Sequence, residues 1–183
     1  RLWHTDSSFK PIGARYSMLY GHRVPEQGGD TEFADMRHAW DRLAPAMQAA
    51  VLDMVAGHSL VYSRARLGFD GFSDEDRARY QPVRHRLVRR HPRSQRLSLY
   101  LAAHIGTIEG LPRPEAMVLI DELIEHATRR EYVYRHRWQQ GDLVIWDNRC
   151  TMHRATAFDD RHEPRDLRRV TVQDDLPTLE QPR

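Results

Sequence analysis

Short segments in which apolar and polar residues alternate run through the chain and predict β-strands. From Ala14 to Val24, the residues Tyr16, Met18, Tyr20 and His22 fall at every second position, as they do on one face of a strand. Further strands are predicted at Thr31–Phe33, His58–Arg66, Leu97–Ala102, Tyr132–Trp138, Leu143–Trp146 and Leu167–Val172. The strand at Leu143–Trp146 is expected to be short and buried, because all four of its residues are apolar.

Helices are predicted between these strands. Asp35 is expected to cap the first helix, Pro45 to open the second, and Pro114 to start the helix with the clearest periodicity. The arginine-rich stretch from Arg77 to Arg96 is expected to be a solvated loop, and Asp174 to Arg183 a polar tail. Short strands separated by turns, with a few helices, predict a mainly β sandwich or jelly roll with flanking helices.

Composition narrows the function classes. The 183 residues suit one domain, and 40% hydrophobic with 30% charged residues is typical of a globular protein. No apolar run approaches the roughly 20 residues of a membrane helix. Cys150 is the only cysteine, so we expect neither a disulfide framework nor a multi-cysteine zinc site. A protein without disulfides is expected in the reducing cytoplasm. Nucleic acid is not expected as a partner, because the arginine run has acidic neighbours and no interleaved aromatic residues.

The tripeptide His4-Thr5-Asp6 is the first candidate for chemistry. On an extended strand His4 and Asp6 project to the same side, and together they offer two of the three ligands of a 2-His-1-carboxylate iron site. Exposed polar residues on a strand would give the same tripeptide, so the assignment depends on a third ligand. Because a ligand strand at the very end of a chain would lack neighbours, we expect that an N-terminal segment is missing from this chain.

Five motifs together carry a family resemblance. They are Trp3-His4-Thr5-Asp6, Gly28-Gly29-Asp30-Thr31, Gly141 through Arg149, His153, and Arg165 through Thr171. In this order and spacing they resemble the TauD/TfdA family of Fe(II)- and 2-oxoglutarate-dependent dioxygenases, from about residue 2 to 173. The segments Ala14–Leu19 and Glu131–Trp138 are most similar to the 2,4-dichlorophenoxyacetate dioxygenase branch.

The resemblance implies a double-stranded β-helix (jelly roll) and a set of roles. His4, Asp6 and His153 match the iron ligands, Thr31 and Arg165 match the residues that hold the distal carboxylate of 2-oxoglutarate, and Arg169 matches the substrate-anion arginine. Arg168 is expected to point away from the site. The cofactors implied are Fe(II), 2-oxoglutarate and O2. The other nine histidines are rivals of His153, and most of them are interpreted as surface residues.

The predicted function is hydroxylation of a small organic anion by a single dioxygenase domain over residues 1–183. An aryloxyalkanoate-like carboxylate is favoured, with cleavage of the ether bond after hydroxylation. A taurine- or alkylsulfonate-type dioxygenase and a catalytically inactive, truncated metal-binding jelly roll remain alternatives. A zinc lyase or hydrolase could use the same three ligands, but it would not explain Thr31, Arg165 and Arg169 together. No membrane association is expected, and a homo-oligomer is expected by family analogy.

Overall fold

The computed structural model describes residues 2–182, so Arg1 and Arg183, the ends of the predicted domain, lie outside the described residues. The strands are β1 (Ala14–Arg23), β2 (Thr31–Asp35), β3 (Val55–His58), β4 (Val83–Arg86), β5 (Val88–Arg90), β6 (Leu97–Leu99), β7 (Ile105–Ile108), β8 (Val133–His136), β9 (Leu143–Asp147), β10 (Thr151–Ala155) and β11 (Asp166–Gln173). The helices are α1 (Met36–Asp41), α2 (Pro45–Val51), α3 (Leu60–Ala65), α4 (Asp74–Arg79) and α5 (Arg113–Ala127), with short 3₁₀ turns at Arg130–Tyr132 and Thr178–Glu180.

Two antiparallel sheets form the jelly roll. One has the strand order β11-β1-β9 and the other the order β10-β2-β8. Their inner faces meet where the ring of Trp146 on β9 lies 5.3 Å from the ring of Phe33 on β2. The predicted mainly β jelly roll with flanking helices is therefore confirmed.

Strand register decides which side chains enter the space between the sheets. Ser17 on β1 pairs with Trp146 on β9 and with Thr171 on β11, so these three side chains share the inner face. Leu19, two residues after Ser17, pairs with Arg169 on β11. Arg169 therefore projects to the same inner face, and the intervening Arg168 projects outward.

The apolar core lies on the other side of the β10-β2-β8 sheet. Ala34 and Met152 alternate with the inward-facing residues and pack there against the helices α1 and α5. Pro112 precedes α5 and Pro114 lies in its first turn, as predicted; its buried residues Ala116, Ile120, Leu123 and Ala127 recur at helical spacing. No helix within residues 2–182 is long and apolar enough to cross a lipid bilayer.

The predicted strand from His58 to Arg66 is wrong beyond His58. Strand β3 ends there, and the side chain of Ser59 accepts a hydrogen bond from the Tyr62 amide and so caps α3. The arginine-rich middle is not only a loop, because it contains half of α4 together with β4 and β5. Alternation of apolar residues over a few positions did not distinguish a strand from a short capped helix.

The prediction that Leu143–Trp146 is a buried strand is wrong for one of its two faces. Trp146 is buried, but Leu143 and Ile145 are 60% and 55% exposed. Tyr20, Val170 and Val172 extend this apolar face across β1 and β11. Side chains alternate along a strand, so an all-apolar strand need not be buried on both sides.

The predicted polar tail packs onto the domain. Thr178 is 3% exposed, and its hydroxyl group bonds to the ring of His85 and to the amide of Arg86. Asp174 forms an ion pair with the buried Arg89 at 2.7 Å. The polar residues at the end of the chain therefore satisfy buried partners.

Candidate metal centre and substrate cavity

His4, Asp6 and His153 converge at one end of the space between the sheets. The Nε2 atom of His4 lies 3.7 Å from Oδ1 of Asp6, and Nε2 of His153 lies 3.8 Å from Oδ2. The two imidazole rings are 4.3 Å apart between centroids. Two residues of one short segment thus meet a residue that is distant in sequence, on β10.

Backbone pairing brings these two segments together. His4 and His153 form an antiparallel bridge in which each amide donates to the other's carbonyl oxygen, at 3.0 and 2.9 Å. The Nδ1 atom of His4 donates to the carbonyl oxygen of Leu2 at 3.0 Å, which leaves Nε2 with its lone pair free to bind a metal.

A buried hydrogen-bond network orients Asp6. Ser17 Oγ donates to Asp6 Oδ2 at 2.7 Å, and Asn148 Nδ2 donates to Ser17 Oγ at 2.9 Å. The Oδ1 atom of Asn148 accepts hydrogen bonds from the Asp6 amide at 3.2 Å and from Trp146 Nε1 at 3.0 Å. Asn148 therefore holds both the backbone of Asp6 and, through Ser17, its carboxylate.

The protonation states suit metal binding. Burial by itself raises the pKa of Asp6. Four neighbouring groups lower this pKa by more than burial raises it, so the net shift is downward: His153, the Ser17 hydroxyl group, His4 and Arg169. Burial and the nearby His4 lower the pKa of His153 to about 3. At neutral pH the centre thus presents a carboxylate and a neutral imidazole of His153, which are the forms that bind a metal.

The donor set fits a non-haem divalent metal. Two imidazole nitrogens and one carboxylate oxygen form the facial triad typical of Fe(II) oxygenases. Ligand atoms about 2.1 Å from a metal on one octahedral face are separated by roughly 3 Å. With one ligand atom taken from each residue, the three atoms lie within 4.8 Å of one another, so the side chains must draw closer together when a metal binds.

A cavity of about 500 Å³ opens beside the triad. Its lining includes His4, Asp6 and Arg169 from the predicted site. Apolar side chains make up most of the remaining wall: Leu2, Phe9, Leu60, Leu67, Ala103 and Ala155. A small ligand that has an apolar body and one or two polar groups would match this lining.

Neither Thr31 nor Arg165 is among the residues that line this cavity. Arg165 Nε donates to the carbonyl oxygen of Gly29 at 2.9 Å, which places its guanidinium group beside the segment leading to Thr31. Thr31 is 2% exposed, and its Oγ1 accepts a hydrogen bond from Trp138 Nε1 at 2.9 Å, so the hydroxyl proton remains available to another acceptor.

The two arginines of β11 differ as predicted from strand alternation. Arg169 Nη1 lies 3.4 Å from Asp6 Oδ1 and lines the cavity. The side chain of Arg168 is 66% exposed and approaches only the outer carboxylate of Asp166, at 4.0 Å.

The interpretation of most other histidines as surface residues is wrong for three of them. His58, His85 and His91 are 0%, 0% and 6% exposed. His91 bonds to Asp147 at 3.1 Å, close to Cys150, in a second cluster of possible ligands. Arg149 already engages both Asp147 oxygens, and burial raises the pKa of Cys150 to about 11, so this cluster is suited to holding the β9–β10 turn.

Sequence reasoning missed the residues around the ligands. Ser17 lies in a predicted strand, and Trp146 and Asn148 lie in the motif from Gly141 through Arg149, but the sequence assigns none of the three a role beside the ligands. Trp138, the partner of Thr31, was not singled out either. Apart from the Trp146–Asn148 bond and the Ser17–Asp6 bond, which spans 11 positions, their partners lie 107 to 142 positions away, so no spacing rule could pair them.

Comparisons with known proteins identify the family. The model of the family described as "Taurine catabolism dioxygenase TauD, TfdA family" matches residues 1–171, so the chain belongs to the TauD/TfdA family. It is 49% identical over 175 residues to an alpha-ketoglutarate-dependent 2,4-dichlorophenoxyacetate dioxygenase of Cupriavidus pinatubonensis. That alignment covers 96% of this chain and 61% of the relative.

Solved structures agree with this assignment. AAD-2, crystallised with Mn(II) and N-oxalylglycine, superposes with a TM-score of 0.94 at 50% identity, over 98% of this chain and 71% of that one. A taurine dioxygenase from Burkholderia xenovorans gives a TM-score of 0.81 at 30% identity, over 96% and 57%. The chain spans about three fifths of the length of the curated relatives it matches.

Proposed function

We propose that the chain carries the catalytic centre of an Fe(II)- and 2-oxoglutarate-dependent dioxygenase that hydroxylates a small organic anion. The observation that carries this proposal is the convergence of His4, Asp6 and His153 at the wall of a largely apolar cavity. His4 Nε2, His153 Nε2 and a carboxylate oxygen of Asp6 would hold the metal. When bound, Fe(II) and 2-oxoglutarate supply the oxidation: 2-oxoglutarate loses carbon dioxide, and one oxygen atom of O2 is inserted into a C–H bond.

The chain's own residues bind and orient the reactants. Arg165 and the hydroxyl group of Thr31 are proposed to hold the distal carboxylate of 2-oxoglutarate, because a carboxylate that leaves water needs charged and polar donors in exchange. Arg169 is proposed to attract the substrate anion towards the metal. Leu60, Leu67 and the other apolar wall residues exclude water from the reacting carbon.

An aryloxyalkanoate is the favoured substrate class, with support from the 2,4-dichlorophenoxyacetate activity in the name of the Cupriavidus pinatubonensis relative. Hydroxylation of the carbon next to the ether oxygen gives a hemiacetal, which breaks into a phenol and a carbonyl acid. A sulfonate is the alternative, because a guanidinium fork also binds sulfonate oxygens and a taurine dioxygenase shares the fold. Homo-oligomerisation remains a prediction.

The test is the visible absorption spectrum of anaerobic, folded protein with Fe(II), before and after 2-oxoglutarate is added. We expect a new weak charge-transfer band that Arg165→Ala weakens at limiting 2-oxoglutarate. Arg168→Ala removes the same side-chain type three residues along and should leave the band unchanged. Absence of the band in folded, iron-loaded protein would refute the proposal, and the inactive metal-binding jelly roll would then be favoured.

A further inference from the structure

A second arginine, Arg64, enters the substrate cavity from α3. Leu60, Ser63 and Arg64 line the cavity, and their spacing of three and four residues places them on one face of the helix. Leu67, which follows the end of α3, also lines the cavity. Arg64 thus belongs to a different wall of the cavity from Arg169, which comes from β11. Arg64 lies outside all five sequence motifs, so the family resemblance assigns it no role.

The charge of Arg64 has no counter-charge in the cavity. Among the charged side chains of the described lining, Asp6 is the single anion, and it already approaches Arg169 at 3.4 Å. Within residues 2–182, Arg64 forms no ion pair with a carboxylate.

Arg66 makes the contrast with Arg64 clear. It lies two residues further on, outside the lining of the cavity. Its guanidinium group approaches Asp121 at 4.0 Å and the ring of Tyr62 at 6.0 Å. Arg66 therefore has the partners on the protein that Arg64 lacks, and it provides a matched control on the same element.

We infer that Arg64 is a specificity-determining residue of this cavity: its uncompensated positive charge, set between Leu60 and Leu67, makes the site prefer a monoanion with an apolar body over the equivalent neutral molecule. The inference rests on the proposed function and deepens it. The guanidinium group of Arg64 is exposed and hydrated while the cavity is empty, and an anionic group that binds beside it can replace that water with charge-assisted hydrogen bonds. A neutral ligand leaves that charge uncompensated.

The experiment measures dissociation constants by calorimetry on anaerobic protein loaded with Fe(II) and 2-oxoglutarate. The two probes are 2,4-dichlorophenoxyacetate and its neutral analogue 2-(2,4-dichlorophenoxy)ethanol. For Arg64→Gln we expect the dissociation constant of the carboxylate to rise about fivefold to tenfold, and that of the alcohol to change less than twofold. Arg64→Lys should restore part of the preference, and Arg66→Gln should keep all of it. Because Arg64 is exposed, the preference should also shrink as NaCl is raised.

Each outcome decides the matter. Equal losses for both probes in Arg64→Gln would assign Arg64 a packing role, and unchanged binding of both would remove it from substrate selection; either result overturns the inference. The same holds if the parent protein binds Fe(II) and 2-oxoglutarate but neither probe, or prefers the alcohol. Failure of the parent to bind Fe(II) or 2-oxoglutarate would instead refute the proposed function, so the two failures are distinguishable.

Discussion

Asn148→Ala tests whether the network behind the metal ligands has the importance that its geometry indicates. Asn148 is 1% exposed and satisfies the Asp6 amide, Trp146 Nε1 and Ser17 Oγ at once. Alanine removes the shared acceptor and the donor to Ser17, and at this depth water has little access to replace them.

The expected cost follows from the groups that lose their partners. The Asp6 amide and the Trp146 indole both become buried donors without an acceptor, and each such group costs about 1–3 kcal/mol. We therefore expect the free energy of unfolding to fall by about 2–5 kcal/mol. Ser17 also loses its donor, so Asp6 is held less firmly, and the affinity for a divalent metal should fall about 10–100-fold, as for other residues that orient metal ligands.

Urea denaturation of the metal-free protein gives the first quantity, and titration with Mn(II) gives the second. Gln140→Ala is the matched control, because it deletes an amide from an exposed turn residue and should change the free energy of unfolding by less than about 0.5 kcal/mol. Ser17→Ala should lower metal affinity with a smaller loss of stability. A loss below about 1 kcal/mol for Asn148→Ala would refute the reasoning that these donors depend on its side chain.

Three further predictions use other parts of the molecule. Gly28→Ala should destabilise the protein more than Gly68→Ala. Both glycines have positive φ (+74° and +77°), but a Cβ atom at Gly28 would also collide with the Ala157 carbonyl oxygen, whereas one at Gly68 would meet open space. Equal urea midpoints for the two variants would contradict this. Mn(II) at 100 times its dissociation constant should stabilise the protein by about 2.7 kcal/mol in thermal unfolding but leave Asp6→Asn almost unchanged, and equal stabilisation of both would exclude Asp6 as a ligand. Burial and the neighbouring His85 hold the pKa of His58 well below its usual value, so the unfolded chain takes up this proton first as the pH falls. His58 alone should therefore lower the free energy of unfolding by up to about 1.4 kcal/mol per pH unit below about pH 6.5, and urea titrations from pH 7.5 to 5 should show a less steep loss in His58→Gln than in the parent protein.

Local sequence was sufficient wherever the deciding interactions are local. His4 and Asp6 both line the cavity, although the expected strand is only a single bridge at His4 followed by a turn that begins at Asp6. The alternation along β11 separates Arg169 from Arg168 as predicted. Asp35 caps α1 through bonds to the amides of Arg37 and His38, only two and three residues away. Strand alternation and helix capping are properties of neighbouring residues, so they can be predicted without the fold.

Tertiary structure decided what depends on distant partners and on which surface meets another. Leu143 and Ile145 have the apolar character of core residues, yet they lie on the outer face of β9. His58 looked like an ordinary surface histidine and is fully buried.

The candidate site shows the same division. The fold class, the family and the candidate ligands could all be predicted without the structure, because strand periodicity and motif spacing depend only on the order of the residues. Only the fold showed that Asn148 and Ser17 hold Asp6, and that Arg64 faces the cavity without a counter-charge. Burial and long-range hydrogen bonding belong to the packed structure, since each depends on where every other segment of the chain comes to lie.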